Sequence, residues 1–238
     1  MSAGVITVPS LADGRGNVRH FFGTRGHPRD LSAPFRPVPR AVVAVKQVHG
    51  TDALVLDRPV SAGSAFAGEW DSLVTNQPGV LLTVRTADCV PVLIHDPVRG
   101  VVAAVHAGWR GAVAGIVRRT IGVMRRRFGS EPRDLSVGIG PSVGSCCYEV
   151  DEPVLQPLRA DFPDWREVVR ETGPGKARLD LRELIRRQAR ALGVDGVRVS
   201  LANVCTVCHP DLFHSYRREG RVNGTMVSGI MLTPARKR

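Results

Sequence analysis

The chain has 238 residues, 43% of them hydrophobic and 23% charged, a balance that excludes a disordered polymer and allows a substantial core. No apolar run approaches the roughly 18 residues needed to span a bilayer. The net charge of +11 comes almost wholly from arginine, since only Lys46, Lys176 and Lys237 are lysines. Arginine spread evenly along a chain points to coding bias more than to a nucleic-acid footprint.

In chain order, the opening MSAGVITVPSLADGRG lacks a basic stretch followed by an apolar one, so a cytoplasmic location is the expectation. The Pro/Gly/Arg-rich segment 23–40 reads as a loop. Strands are predicted over 41–48, 52–57, 79–86, 91–96, 100–107, 135–140 and 225–232. PVLI and VVAAV are continuous apolar runs, as in strands covered on both faces. Apolar residues at helical spacing predict one helix from Ala112 to Phe128, with arginines opposite. A weaker helix is expected over 152–160, and a stronger one over 180–192 with Asp180 as its N-cap and Gly193 ending it. The expectation is a single α/β domain over 1–238, a mixed β-sheet covered by helices.

Three metal-competent side chains share one local setting. His49 follows AVVAVKQV, Cys89 follows LLTVRTAD and His106 follows VVAAV, each where a strand gives way to a turn. Strand ends of an α/β sheet line crevices, so the three are candidates for one site. Two imidazoles and a thiolate form a chemically sensible zinc set, and three protein donors leave a position for water. The spacing matches no short zinc signature, and Cys89 with His106 equally suits a thiolate–imidazole pair. Asp71 and Asp88 are candidate proton-transfer or orienting carboxylates, or simple turn caps. Arg110 and Arg217 offer guanidinium groups to an anionic ligand. Arg118, Arg119 and Arg125–Arg127 read as a solvated helix face, with no aromatic residues interleaved to stack on bases; an arginine-rich nucleic-acid-binding protein without catalysis is the rival reading.

The cysteines are Cys89, Cys146, Cys147, Cys205 and Cys208, an odd count that speaks against a secreted disulfide framework. CTVCH at 205–209 has the form of a c-type haem attachment, but nothing else in the chain supports an exported haem protein. A thioredoxin-like motif would open a helix after a first strand, which this one does not. Thiols packed near a loop is the remaining reading, with no role assigned to these four.

KQVHG, TADCVPVLIHDP, VVAAVHAGWRG, GIGPSVGSCCYEV, CTVCHPDLFHSYRREG and GTMVSGIML, in this order over about 41–232, resemble the family variously called multicopper polyphenol oxidase, laccase-domain protein, peptidoglycan editing factor (YfiH-like) and purine nucleoside phosphorylase. The resemblance implies the YfiH-like fold, similar to the catalytic domain of the deamidating cytotoxic necrotizing factor. It implies Zn2+ held by His49, Cys89 and His106, with copper as an adventitious occupant. It also implies phosphorolysis of adenosine, inosine, guanosine and methylthioadenosine, together with adenosine deamination. Asp71 or Asp88 then handles protons, and Arg25, Arg110 and Arg217 bind substrate. The partners expected are a purine nucleoside and phosphate, with no membrane and no nucleic acid, and the protein a monomer or weak dimer. The alternative enzyme is an amide hydrolase acting on UDP-muramyl precursors. Copper laccase chemistry fits poorly, because seven histidines without an H-x-H cannot build paired imidazole clusters. The family's longer N-terminal part is shortened here: Thr24, Arg25 and Gly26 fit its start, and an asparagine-containing stretch is missing.

Overall fold

The structure, a computed structural model, describes residues 4–12, 16–26 and 38–234. Its strands are β1 (Val5–Ile6), β2 (Val18–Gly23), β3 (Ala41–Val43), β4 (Ala53–Leu56), β5 (Ser72–Thr75), β6 (Val80–Thr86), β7 (Val90–Asp96), β8 (Val101–Ala107), β9 (Ser136–Ile139), β10 (Glu149–Val150), β11 (Val169–Gly173), β12 (Lys176–Leu179), β13 (Val199–Leu201) and β14 (Met226–Leu232). The helices are α1 (Trp109–Val113), α2 (Ile116–Phe128), α3 (Glu152–Asp161), α4 (Leu181–Ala191) and α5 (Tyr216–Glu219). Among the described residues the strands make a five-stranded sheet, β1-β2-β14-β6-β3, and a six-stranded sheet, β13-β9-β7-β8-β5-β4. A small antiparallel sheet, β10-β12-β11, stands apart from both. Parallel and antiparallel pairs occur in each large sheet, so the fold is mixed α/β as expected.

The continuous apolar runs have a plain physical cause. Side chains alternate faces along a strand. On β8, Val101, Ala103 and Val105 pack against the helices, while Val102 and Ala104 pack into a second core. On β7, Val92 and Ile94 face the helices and Leu93 faces the other way. That second core joins Leu73, Leu93 and Val102 of the six-stranded sheet to Phe22, Leu82 and Ile230 of the five-stranded one. The order of layers is therefore helices, six-stranded sheet, five-stranded sheet. The central strands are covered on both sides and have no polar face to show.

Two sequence expectations change in detail. The helix expected from Ala112 to Phe128 is interrupted: Gly115 adopts φ 80°, a left-handed conformation open to glycine, and divides α1 from α2. The strand expected over 41–48 ends at Val43, and only an isolated bridge from Lys46 to Glu69 continues it. The helix over 180–192 forms as α4, with Asp180 Oδ1 accepting from the Glu183 amide at 3.0 Å. The segment that departs from the family's N-terminal part falls mainly on residues 27–37, outside the described residues. No helix among the described residues is long and apolar enough to cross a membrane. On α2, Arg119 pairs with Asp52, Arg127 with Asp57 and Arg125 with Glu131, so that basic face is partly neutralised by its neighbours.

Leu93 is fully buried between the two sheets. Leu93→Ala is expected to cost about 2–5 kcal/mol through lost burial and a residual cavity. Val98→Ala, at a position 65% exposed, should leave the urea midpoint almost unchanged.

Candidate metal centre and its pocket

All three donors lie where the chain leaves a layer. His49 sits between β3 of one large sheet and β4 of the other, and Cys89 between β6 and β7, which again belong to different sheets. His106 is on β8 just before the chain passes into α1, and the strand's alternation places it on the same side as Val102 and Ala104, toward the other sheet. The candidate ligand atoms of His49, Cys89 and His106 all lie within 4.8 Å of one another. The rings of His49 and His106 meet edge to face, 4.8 Å between centroids.

Asp71 organises this arrangement. Its carboxylate accepts from the amides of Val48 (3.2 Å), His49 (2.9 Å) and Gly50 (2.6 Å). Three successive amides around one anion form a nest, and the left-handed His49, φ 64°, is what curls them. Oδ1 of Asp71 also receives Nδ1–H of His106 at 2.6 Å, in a pair with almost no solvent exposure. The proton belongs on His106, since the hydrogen bonds from His106, Gly50 and His49 hold the Asp71 carboxyl below its usual value despite burial. With Nδ1 so engaged, Nε2 of His106 is the nitrogen left to bind a metal. Burial pulls His106 down, but its bonds to Asp71 and Cys89 outweigh this and raise it to about 9. Burial likewise pushes the Cys89 thiol up, and its contacts with His106 and His49 reverse that, bringing it to about 7.

The glycines of HAGWRG serve close approach. Gly108 has φ −69° and ψ 166°, an extended conformation open to any residue. A Cβ there would lie 2.5 Å from Cδ2 of the His49 ring and 3.3 Å from Sγ of Cys89. One at Gly111 would lie 2.6 Å from the Gly50 carbonyl oxygen. The cradle is thus cut to the width of two imidazoles and a thiol. A soft thiolate with two imidazoles suits zinc, and three protein donors keep a coordination position open.

The donors border a cleft of about 810 Å³, lined also by Gln47, Arg85, Trp109, Tyr148 and Tyr216. Arg110 and Arg217 reach it as well. The Arg110 guanidinium lies over the Trp109 ring at 4.4 Å and that of Arg217 over Tyr148 at 5.1 Å. Neither forms an ion pair with a carboxylate among the described residues. Arg25 instead donates to the Pro210 carbonyl and is not among the residues lining the cleft. Asp88 lines the cleft, but its carboxylate is engaged: Thr206 Oγ1 donates at 2.5 Å, Ser215 Oγ at 3.0 Å and the Arg217 amide at 2.6 Å. Asp71 does not line it and reaches it only through His49 and His106.

Sequence reasoning missed Gln47, Trp109, Tyr148 and Tyr216. Gln47 had a signal: its amide group exchanges two 2.8 Å bonds with the Arg85 backbone, extending the end of β6 by one side chain. Its place two residues before a candidate ligand, in a run otherwise apolar apart from Lys46, was the clue. Tyr148 follows two cysteines in a turn, where nothing local announces a pocket wall.

Asp71→Asn should weaken the binding of added divalent metal about 10–100-fold, the loss expected where the carboxylate that orients a metal-ligating histidine is removed. Gly108→Ala is expected to weaken it too, by driving a methyl group into the space of His49. Chelator competition on the purified variants measures both, and wild-type affinity in either would remove the structural basis given for that residue.

The matches to known proteins span the residues of this site. The family model described as multi-copper polyphenol oxidoreductase laccase matches residues 29–233. A protein of Bacteroides thetaiotaomicron named purine nucleoside phosphorylase is 41% identical over 201 residues, covering 82% of this chain and 74% of that protein. Geobacillus stearothermophilus purine nucleoside phosphorylase YlmD is 39% identical over 195 residues, covering 79% and 71%. The crystal structure of YlmD from Geobacillus stearothermophilus superposes with a TM-score of 0.83 at 30% identity, covering 95% of this chain and 94% of that one. That of Bacillus licheniformis hypothetical protein YfiH gives 0.86 at 28% identity, covering 94% and 96%. The chain belongs to the multi-copper polyphenol oxidoreductase laccase family.

Proposed function

We propose that this chain is a zinc-dependent purine nucleoside phosphorylase. One observation carries the reading: a single cleft holds the His49/Cys89/His106 set and the guanidinium groups of Arg110 and Arg217, which pair with no carboxylate among the described residues. Its volume of about 810 Å³ lies within the range for small-molecule sites, about 300–1,000 Å³. The names of the relatives support a nucleoside and phosphate as substrates.

Arg110 and Arg217 hold the phosphate dianion, the planar fork of a guanidinium offering paired N–H donors to two phosphate oxygens. Trp109, Tyr148 and Tyr216 give flat surfaces for the purine and exclude water from the ribose. A phosphate oxygen forms a bond to C1′ as the C1′–N9 bond breaks, and its electron pair leaves with the purine, which takes up a proton. His49, Cys89 and His106 would hold zinc, which would supply Lewis acidity beside this cleft. Asp71 acts as a positioning residue: it fixes the His49 backbone and the His106 ring and leaves His106 Nε2 free to hold a metal. Asp88 positions Arg217 by accepting its amide hydrogen.

A three-donor set with an open position also favours hydrolytic deamination of adenosine at C6 in the same cleft, a reaction that consumes water and needs no phosphate. Copper laccase chemistry finds no support, since among the described residues only one group of metal-competent side chains contains histidine.

Zinc-replete protein incubated with adenosine, with and without phosphate, is expected to release adenine and ribose 1-phosphate only when phosphate is present. Inosine in the phosphate-free tube would establish the deaminase reading. Adenosine untouched in both, with an amino acid released from a UDP-muramyl precursor, would overturn the proposal in favour of the amide hydrolase. Cys89→Ala should lose both metal and turnover, and full activity in that variant without metal would sink the zinc reading. Arg217→Ala should raise the KM for phosphate about 10–100-fold, the worth of a charge-assisted bond, with a smaller change for adenosine; an unchanged phosphate KM would remove Arg217 from the anion site.

A further inference from the structure

The four cysteines that sequence reasoning left without a role come together. Sγ atoms of Cys146, Cys147, Cys205 and Cys208 all lie within 4.8 Å of one another, although the pairs are separated by almost sixty residues. The Cys208 sulfur is 3.6 Å from that of Cys146 and 3.5 Å from that of Cys147. Thiolates at about 2.3 Å from a tetrahedral zinc stand about 3.8 Å apart. The cluster is thus close to the spacing of one ion's ligands. We infer that Cys146, Cys147, Cys205 and Cys208 form a second metal site, a structural tetrathiolate zinc centre separate from the His49/Cys89/His106 set.

Three further features agree. First, the Cys205 sulfur accepts a backbone hydrogen: the Gly144 amide donates to it at 3.2 Å, and a bond of that kind favours a thiolate over a thiol. Second, a side chain at Gly144 would meet Sγ of Cys146 and Cβ of Cys205, each at 3.2 Å, so the residue there is small because the sulfurs crowd it. Third, the cluster sits beside buried positive charge. Arg182 of α4 is only 6% exposed, and its guanidinium lies 3.0 Å from the position of that same missing Cβ. Among the described residues it forms no ion pair; it donates to the Val204 carbonyl, and its Nε lacks a partner. Arg178 donates to the Cys146 carbonyl at 2.5 Å. A buried cation needs a compensating anion. Four thiolates around one divalent ion carry a net charge of −2 and supply it, whereas two disulfides or four neutral thiols do not.

The centre would cross-link a loop that walls the cleft to one that stands behind it. The 142–148 loop carries Val143 and Tyr148 of the lining. The 205–208 loop carries Thr206, whose hydroxyl holds Asp88. The loops already meet in one bridge, Ser142 with Cys205, and in the 3.0 Å bond from the Thr206 amide to the Ser142 carbonyl. An ion joining them would keep Tyr148 and Asp88 in fixed relation.

The test begins with the full chain carrying Cys89→Ala, which lacks a donor of the first set and keeps all four cluster cysteines. After reduction, zinc loading and removal of excess, this variant is expected to retain a single zinc per chain, the wild type two. X-ray absorption at the zinc edge of Cys89→Ala should show an all-sulfur shell at about 2.3 Å. Cobalt in place of zinc should give thiolate-to-metal charge-transfer bands. The double variant Cys205→Ser/Cys208→Ser should keep only the first zinc and melt at a lower temperature. Should that variant fail to fold, the Cys89→Ala result still decides. A metal-free Cys89→Ala protein, iron in place of zinc, or disulfides among these four cysteines in protein purified without reductant would each overturn the assignment. Because metal content is read without substrate, failure of the phosphorylase reading leaves this result untouched.

Discussion

The carboxylate of Asp71 is the constraint on which the candidate site depends. It is buried, and so it must be compensated: three consecutive amides and one imidazole N–H do this. Each bond has a geometric consequence. The amides force His49 into a left-handed conformation that only a short loop between two sheets needs, and the imidazole bond fixes the rotation of His106. Since Asp71 directly precedes β5, which pairs with β8 beside His106, the orienting group and the ligand it orients are neighbours in one ladder. Sheet register thereby sets the geometry of the candidate site.

This explains which parts were legible beforehand. Strands such as β7 and β8 announced themselves because both faces are buried and no polar period interrupts them. The three donors were legible for a related reason: a His or Cys directly after such a run has little to do there except face a crevice. What stayed hidden was relational. Nothing in WDSLVT tells that Asp71 lies against His106 rather than capping its own turn, because the contact arises from strand pairing across 35 residues. Strands β2 and β5 went unread because they are short or carry polar residues, and they acquire their strand character from the partners on either side. Gly115 was invisible as a break because its neighbours continue the helical period across it.

Asp88 shows how a residue's chemistry is decided by its surroundings. From the sequence it had the same standing as Asp71, a candidate proton-transfer or orienting carboxylate or a simple turn cap. In the fold it takes φ 87°, at the crossing from one sheet to the other, and its oxygens are filled by two hydroxyls and an amide. A carboxylate so engaged holds parts in place and is poorly suited to exchanging protons with a substrate. Asp88 and His49 belong to the residue types that best tolerate left-handed backbone, and each lies at or beside a donor. Local strain is kept where it aims a ligand, and hydrogen bonds from distant loops hold it there.

The same logic links the two sulfur-bearing regions. Asp88 is joined along the chain to Cys89 and through its side chain to Thr206, the residue after Cys205. Its carbonyl accepts from the Val143 amide at 3.0 Å, in the loop that leads to Cys146. A displacement of the 205–208 turn is therefore transmitted to the backbone that presents Cys89 through the Thr206–Asp88 hydrogen bond. Loops this rich in glycine and small residues have little apolar area with which to fix their own positions. Helix α4 contributes the buried Arg182, and Arg218 of α5 donates to the Thr206 and Val207 carbonyls. Hydrophobic burial positions the strands of this protein, but at the mouth of the cleft the backbone is held by charge and hydrogen bonding. An anionic cluster at Cys146, Cys147, Cys205 and Cys208 is the element that would make such a polar loop pair rigid, since it neutralises the arginine and cross-links both turns at once.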